Sequence, residues 1–66
     1  MATIGEQIRM ARQRKGWTQD RLASELNVSR TTISKWEKEA RIPNSKMLLM
    51  MSEILEYVFV PEGRKT

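Results

Sequence analysis

Residues 16–43 read GWTQDRLASELNVSRTTISKWEKEARIP, and the fold turns on three residues in their middle, Asn27, Val28 and Ser29. Upstream of them, Thr18 is placed to cap a helix whose Leu22, Ala23 and Leu26 share one face, and Asp20 in its first turn suits the positive end of the helix dipole. That helix is short, about Gln19 to Leu26. Asn27 is one of the few non-glycine residues that tolerates the left-handed conformation needed just past a helix end, and Val28 offers an apolar plug to the core. Ser29 then caps the next helix. Two helices parted by three residues, each with its own cap, cross at a steep angle instead of running on as one.

Working outward, Thr3 and Glu6 have the spacing of a capping box. Ile4, Ile8 and Ala11 recur at helical intervals up to the basic run Arg12, Arg14 and Lys15, and Gly16 stops this first helix. On the other side, Pro43 ends what precedes it, and Asn44 or Ser45 can cap a fourth helix from about Lys46 to Glu56. Beyond Tyr57 the run Val58, Phe59, Val60 is β-prone and is closed by Pro61 and Gly63 before a basic end, Arg64 and Lys65. The tail is therefore either a brief strand or disordered.

The third helix carries the functional signal. At about 100° per residue, Ile33 and Trp36 fall together on one side, while Arg30, Thr31, Ser34, Lys35 and Lys38 lie within an arc of about 140° facing away. The outward set is what a major-groove helix needs. Arginine can fork onto O6 and N7 of guanine, threonine can meet a thymine methyl or a base edge, and lysine reaches guanine or phosphate. Short Ser34 permits close approach. Gln19 and the capped helix starts at Thr18 and Ser29 add an amide and exposed backbone N–H groups suited to phosphate oxygens. Trp17 and Trp36 could serve as stacking platforms for single strands, but tryptophan at helical spacing beside Ile33 favours core.

The segment Gly16–Pro43 resembles the phage-repressor/Cro (XRE-type) helix-turn-helix family, through TQ, LA, VS, TIS and WE at fixed offsets. With Ile8, Arg12, Leu48, Met51 and Leu55 the likeness covers about the first 55 residues. The resemblance implies that Gln19 meets phosphate and braces the recognition helix, and that Arg30, Thr31 and Lys35 contact bases. It implies phosphate contacts at or near Ser29, Thr32 and Lys38, with Arg41 in a loop touching the DNA backbone. Arg12 and Glu37 match the family's ion pair between the first helix and the end of the third. Two departures stand out: Asn27 replaces the family's usual turn glycine, and EYVFVPEGRKT offers no clear counterpart to the fifth helix that often forms the dimer interface.

The fourth helix has more apolar surface than one small core can cover. Leu48, Met51 and Leu55 form the core stripe, while Met47, Met50, Ile54 and Tyr57 line a neighbouring one. This second stripe and Val58, Phe59 and Val60 are expected to form a two-fold interface, with tail strands pairing between protomers. The alternative is a wider intramolecular core with a frayed tail.

Composition sets the outer limits. Sixty-six residues make one domain with a modest core. No cysteine or histidine is present, which excludes disulfide staples and the common zinc and thiol or imidazole catalytic arrangements. The net charge of +4 lies wholly in the first 46 residues, which carry ten basic and five acidic side chains, so the front of the chain is the polyanion binder. No convergent acid–base pair points to an enzyme. A non-specific architectural binder would have no use for Thr31 and Ser34 on the reading face.

The expected protein is thus an all-α, compact, lambda-repressor-like domain spanning residues 1–66. It has four helices, or five if the tail forms one, with the helix-turn-helix at about 18–38 and an extended or strand-like tail at 57–66. It is expected to be cytoplasmic and soluble, without metal, cofactor or small-molecule ligand, and to bind as a homodimer to a double-stranded operator with two-fold half-sites. Its expected role is sequence-specific transcriptional regulation, as a repressor. The rival is a protein-interaction module, such as an antitoxin, that uses the fourth helix and the tail.

Overall fold

The computed structural model describes residues 2–60, so Pro61, Gly63, Arg64 and Lys65 of the tail lie outside the described residues. Four helices follow in order: α1 (Ile4–Arg14), α2 (Gln19–Leu26), α3 (Arg30–Glu37) and α4 (Ser45–Leu55). Each starts on a side-chain cap. Thr3 and Glu6 form a reciprocal capping box, and Thr18, Ser29 and Asn44 each accept a backbone N–H of the following turn. One orphan donor per helix is satisfied in this way, worth about 1 kcal/mol each.

All four helices also end alike. Gly16, Asn27, Glu39 and Glu56 adopt positive φ of 76°, 59°, 66° and 53°. The N–H of the residue after each closes back across the last turn, as in Trp17 to the Arg12 carbonyl at 3.0 Å and Val28 to Ala23 at 2.9 Å. Glycine and asparagine take this conformation readily, whereas a glutamate in it costs about 1–2 kcal/mol. Both glutamates have offsetting contacts. The Glu39 carboxylate accepts the Gly5 N–H at 2.8 Å, at the positive end of α1. The Glu56 carbonyl accepts Arg14 Nη2 at 2.8 Å, and its carboxylate faces Lys15 Nζ at 3.8 Å.

The core contains one layer from every helix. Ile8, Leu22, Ile33, Met51 and Leu55 are fully buried, joined by Ala11, Ala23, Leu26 and Trp36. Each large aliphatic side chain removed from water contributes about 1.5–3 kcal/mol. α3 packs on α1 and α2, and α4 packs on α2. Among the described residues no helix is long and apolar enough to cross a membrane.

Residues 58–60 form neither helix nor strand. The segment is held by Gln7, which is 3% exposed. The Gln7 amide accepts the Val60 N–H at 2.8 Å and donates to the Val60 carbonyl at 2.7 Å, so one side chain takes the place of a partner strand. It also donates to the Ala2 carbonyl and accepts the Tyr57 hydroxyl. Among the described residues the tail is therefore paired by a side chain and not by a strand, with both Val60 backbone groups used within the chain. Gln7→Leu should remove both bonds to Val60, at a cost of about 0.5–1.5 kcal/mol each. Hydrogen exchange should then show the Val60 amide losing protection while Ile33 keeps its own; unchanged protection at Val60 would contradict the clamp.

Candidate nucleic-acid interface

The turn at Asn27 to Ser29 sets α3 across α2, with Ile33 and Trp36 buried and the opposite side open. On that side Arg30, Thr31 and Lys35 are exposed and Ser34 is half-buried; Lys38, at the C-cap, is exposed as well. A basic and hydroxylated helical face therefore stands outside the core. Trp36 is only 6% exposed, which removes it as a stacking platform. Trp17 is half-buried, with the Arg21 guanidinium over its ring at 4.4 Å.

The rim comes from the helix starts and a loop. Thr18 and Ser29 are exposed, and Thr32 and Gln19 are half-buried. The Ser29 and Thr32 hydroxyls are 3.0 Å apart, so one donates to the other and the pair keeps one hydroxyl hydrogen for an outside acceptor. Exposed Arg41 lies past the far end of α3. A groove of about 400 Å³ runs between α3 and this loop, lined by Thr32, Lys35, Trp36, Arg41, Asn44 and Met47. Sequence periodicity did not anticipate it, because it depends on where the loop before Pro43 comes to rest.

A buried network sets the position of α3. Arg12 Nε donates to Glu37 Oε2 at 2.7 Å and Nη2 to Oε1 at 3.2 Å, while Nη1 donates to the Trp17 carbonyl at 2.8 Å. The two side chains are 11% and 6% exposed. Gln19 Nε2 adds a bond to Glu37 Oε1 at 3.0 Å. The start of α2 and the end of α3 are thereby tied to α1 through one carboxylate. An amide NH2 carries two hydrogens, so the bond to Glu37 leaves one for an anion beside α2.

Of the seven residues expected at a two-fold interface, five are partly buried and two, Val58 and Val60, are exposed. Met47, Met50, Ile54, Tyr57 and Phe59 are partly buried and pack against the chain's own core. Met47 lines the groove beside α3, whereas Phe59 and Val58 border a shallower hollow of about 320 Å³ with Ser45, Leu48, Leu49 and Ser52. The large apolar side chains left open in this region are Leu49, Val58 and Val60, at 63%, 79% and 50% exposure. Leu49 stood outside both apolar stripes, which is why periodicity passed over it.

A helix-turn-helix family model matches residues 8–58. The chain belongs to the helix-turn-helix family. Among relatives, the HTH-type transcriptional regulator ImmR of Bacillus subtilis (strain 168) is 33% identical over 52 residues, 79% of this chain and 41% of its own length. DicA of Escherichia coli (strain K12), also an HTH-type transcriptional regulator, is 39% identical over 54 residues, 82% of this chain and 40% of its own. The chain thus spans about two fifths of the length of these relatives. Among solved structures, the P22 c2 repressor in complex with a synthetic operator is similar at TM-score 0.80 and 33% identity, over 88% of each chain. The biofilm master regulator SinR in complex with DNA is similar at TM-score 0.76 and 26% identity, over 85% of this chain and 90% of its own. These neighbours have the all-α lambda-repressor-like fold, and this helix-turn-helix chain shares it.

Proposed function

We propose that this chain is a sequence-specific regulator of transcription, of repressor type, that binds double-stranded DNA and reads the major groove with α3. One observation carries the reading: α3 presents Arg30, Thr31 and Lys35 to solvent, while its other face is buried and braced through Glu37. In this reading Arg30, Thr31, Ser34 and Lys35 meet base edges. Thr18, Gln19, Ser29, Thr32, Lys38 and Arg41 meet phosphates, and the groove beside α3 receives the sugar–phosphate backbone. Similarity to the P22 c2 repressor, solved in complex with a synthetic operator, supports DNA binding. The protein would act in the cytoplasm, on the nucleoid.

A homodimer would set two copies of α3 about 34 Å apart in successive major grooves and select two-fold half-sites. The surface for it would include exposed Val58 and Val60 with Leu49. A mass that stays monomeric across micromolar concentrations in sedimentation would remove the dimer and leave the reading helix intact.

The two kinds of contact separate by mutation. Arg30→Ala should cost about 1–3 kcal/mol on the preferred duplex and relax choice at one base pair. Lys38→Ala should weaken all duplexes alike and reduce the salt slope by about one. Fluorescence anisotropy on preferred and scrambled duplexes over a salt series checks both. Equal losses on the two duplexes for Arg30→Ala would sink its base-reading role.

A further inference from the structure

Arg30 occupies an unfavourable place for a cation. It is the first residue of α3, at the positive end of the helix dipole, and the first turn of α3 contains no acidic residue. The compensation comes from the preceding helix: Asp20 Oδ1 lies 3.9 Å from Arg30 Nε, across the turn that joins α2 to α3. Asp20 is free for this role because the neighbouring cation, Arg21, is held by Glu25 at 3.1 Å and stacked on Trp17. The Asp20–Arg30 separation is too long for a hydrogen bond and short enough for Coulomb attraction. Side-chain exposures of 67% and 78% make it a loose tether in the free protein.

The point of attachment matters. Asp20 approaches Nε, which leaves the two terminal nitrogens of the guanidinium open, and those form part of the fork that grips guanine O6 and N7. The carboxylate also sits one residue from Gln19 and two from the Thr18 cap, at the end of α2 assigned above to phosphate. A negative charge there repels the DNA backbone, and it competes with phosphates for Arg30.

Resting on the DNA-reading function above, we propose that Asp20 is a positioning residue for sequence choice. It directs Arg30 towards base edges and penalises complexes in which Arg30 settles on a phosphate. Its contribution is therefore to selectivity, and it is affinity for random DNA that its presence reduces. On a preferred duplex the approach of DNA excludes water from the pair and strengthens the tether. On a random duplex no base acceptor rewards the geometry, and only the repulsion is felt.

The test is a comparison of Asp20→Asn, Asp20→Glu and the wild type, each also in an Arg30→Ala background, on a selected duplex and a random one at fixed salt. Circular dichroism establishes that each variant is folded. Asp20→Asn should bind random DNA about two- to fivefold more tightly, the worth of one screened ion pair, without gain on the selected duplex. The ratio of the two affinities should fall accordingly, and Asp20→Glu should restore most of it. With Arg30 replaced by alanine, Asp20→Asn should leave the ratio unchanged. Equal tightening on both duplexes, or a loss of ratio that persists without Arg30, overturns the positioning role while leaving DNA reading in place. A wild type that prefers no duplex overturns both, and is told apart because its ratio is already one.

Discussion

Glu37→Ala should lower folding stability by about 3–5 kcal/mol, a large fraction of what a domain this small can hold. The carboxylate is 6% exposed and takes two bonds from Arg12 and one from Gln19. Its removal strands a guanidinium that is itself only 11% exposed, with the Trp17 carbonyl as its remaining acceptor in the network. The cost is mainly that uncompensated charge, so the pair is not to be credited with 3–5 kcal/mol of net stabilisation. Replacing both members, as in Arg12→Met with Glu37→Leu, should recover much of the loss. Urea denaturation of the wild type, the single variant and the double variant measures both steps. A single-variant loss under about 1 kcal/mol would place the pair in the weak class of exposed bridges. The double variant should regain folding without regaining full DNA binding, because Gln19 loses the carboxylate that aims it.

Gly5→Val should cost about 3 kcal/mol, at the upper end for overpacking. A Cβ at this position would sit 2.6 Å from the Trp36 carbonyl oxygen, 2.7 Å from that of Glu37 and 2.8 Å from Glu39 Oε2. Two of these obstacles are backbone, so relief requires α1 to move away from the end of α3. That movement would also break the Glu39 bond to the Gly5 N–H, and with it the compensation for the strained Glu39 backbone. Gly16→Ala supplies the contrast. Its Cβ would meet nothing within 4 Å, so only the positive φ of 76° opposes it, at about 1–2 kcal/mol. Thermal denaturation should rank the two in that order; the reverse order would mean that α1 and α3 are not in close backbone contact.

The elements that sequence reading captured are those governed by local chemistry. Caps at Thr3, Thr18, Ser29 and one of Asn44 and Ser45, stops at Gly16 and Asn27, and the apolar faces of α1 to α3 each follow from residues within about four positions of one another. The Arg12 and Glu37 pairing came instead from resemblance to a family, since 25 residues separate them. What remained unread has one cause. The contact of Gly5 with α3 and Glu39, the Gln7 clamp on Val60 and the Arg14 cap on α4 span 34, 53 and 41 residues. A glycine near a helix start, a glutamine on an apolar side and an arginine in a basic run carry no local sign of such partners.

The tail shows the same limit from the other direction. The excess apolar surface of α4 was legible, but its destination was not. Met50, Ile54, Tyr57 and Phe59 are partly buried against the chain's own core, and Gln7 holds the tail at Val60. Tyr57 and Phe59 meet edge to face at 5.0 Å, and Arg14 lies 5.7 Å from the Tyr57 ring centre. The exposed remainder, Leu49 with Val58 and Val60, is the part on which an interface between copies would have to draw.

Base reading by α3 is checked by selection of bound sequences from a random duplex pool, at about 150 mM salt where non-specific phosphate attraction is strongly weakened. Wild-type protein should enrich a defined half-site, repeated with two-fold symmetry about one helical turn apart in a dimer, with one base pair losing definition when Arg30→Ala is used as bait. A pool that shows no enrichment with folded wild-type protein would contradict base reading by α3.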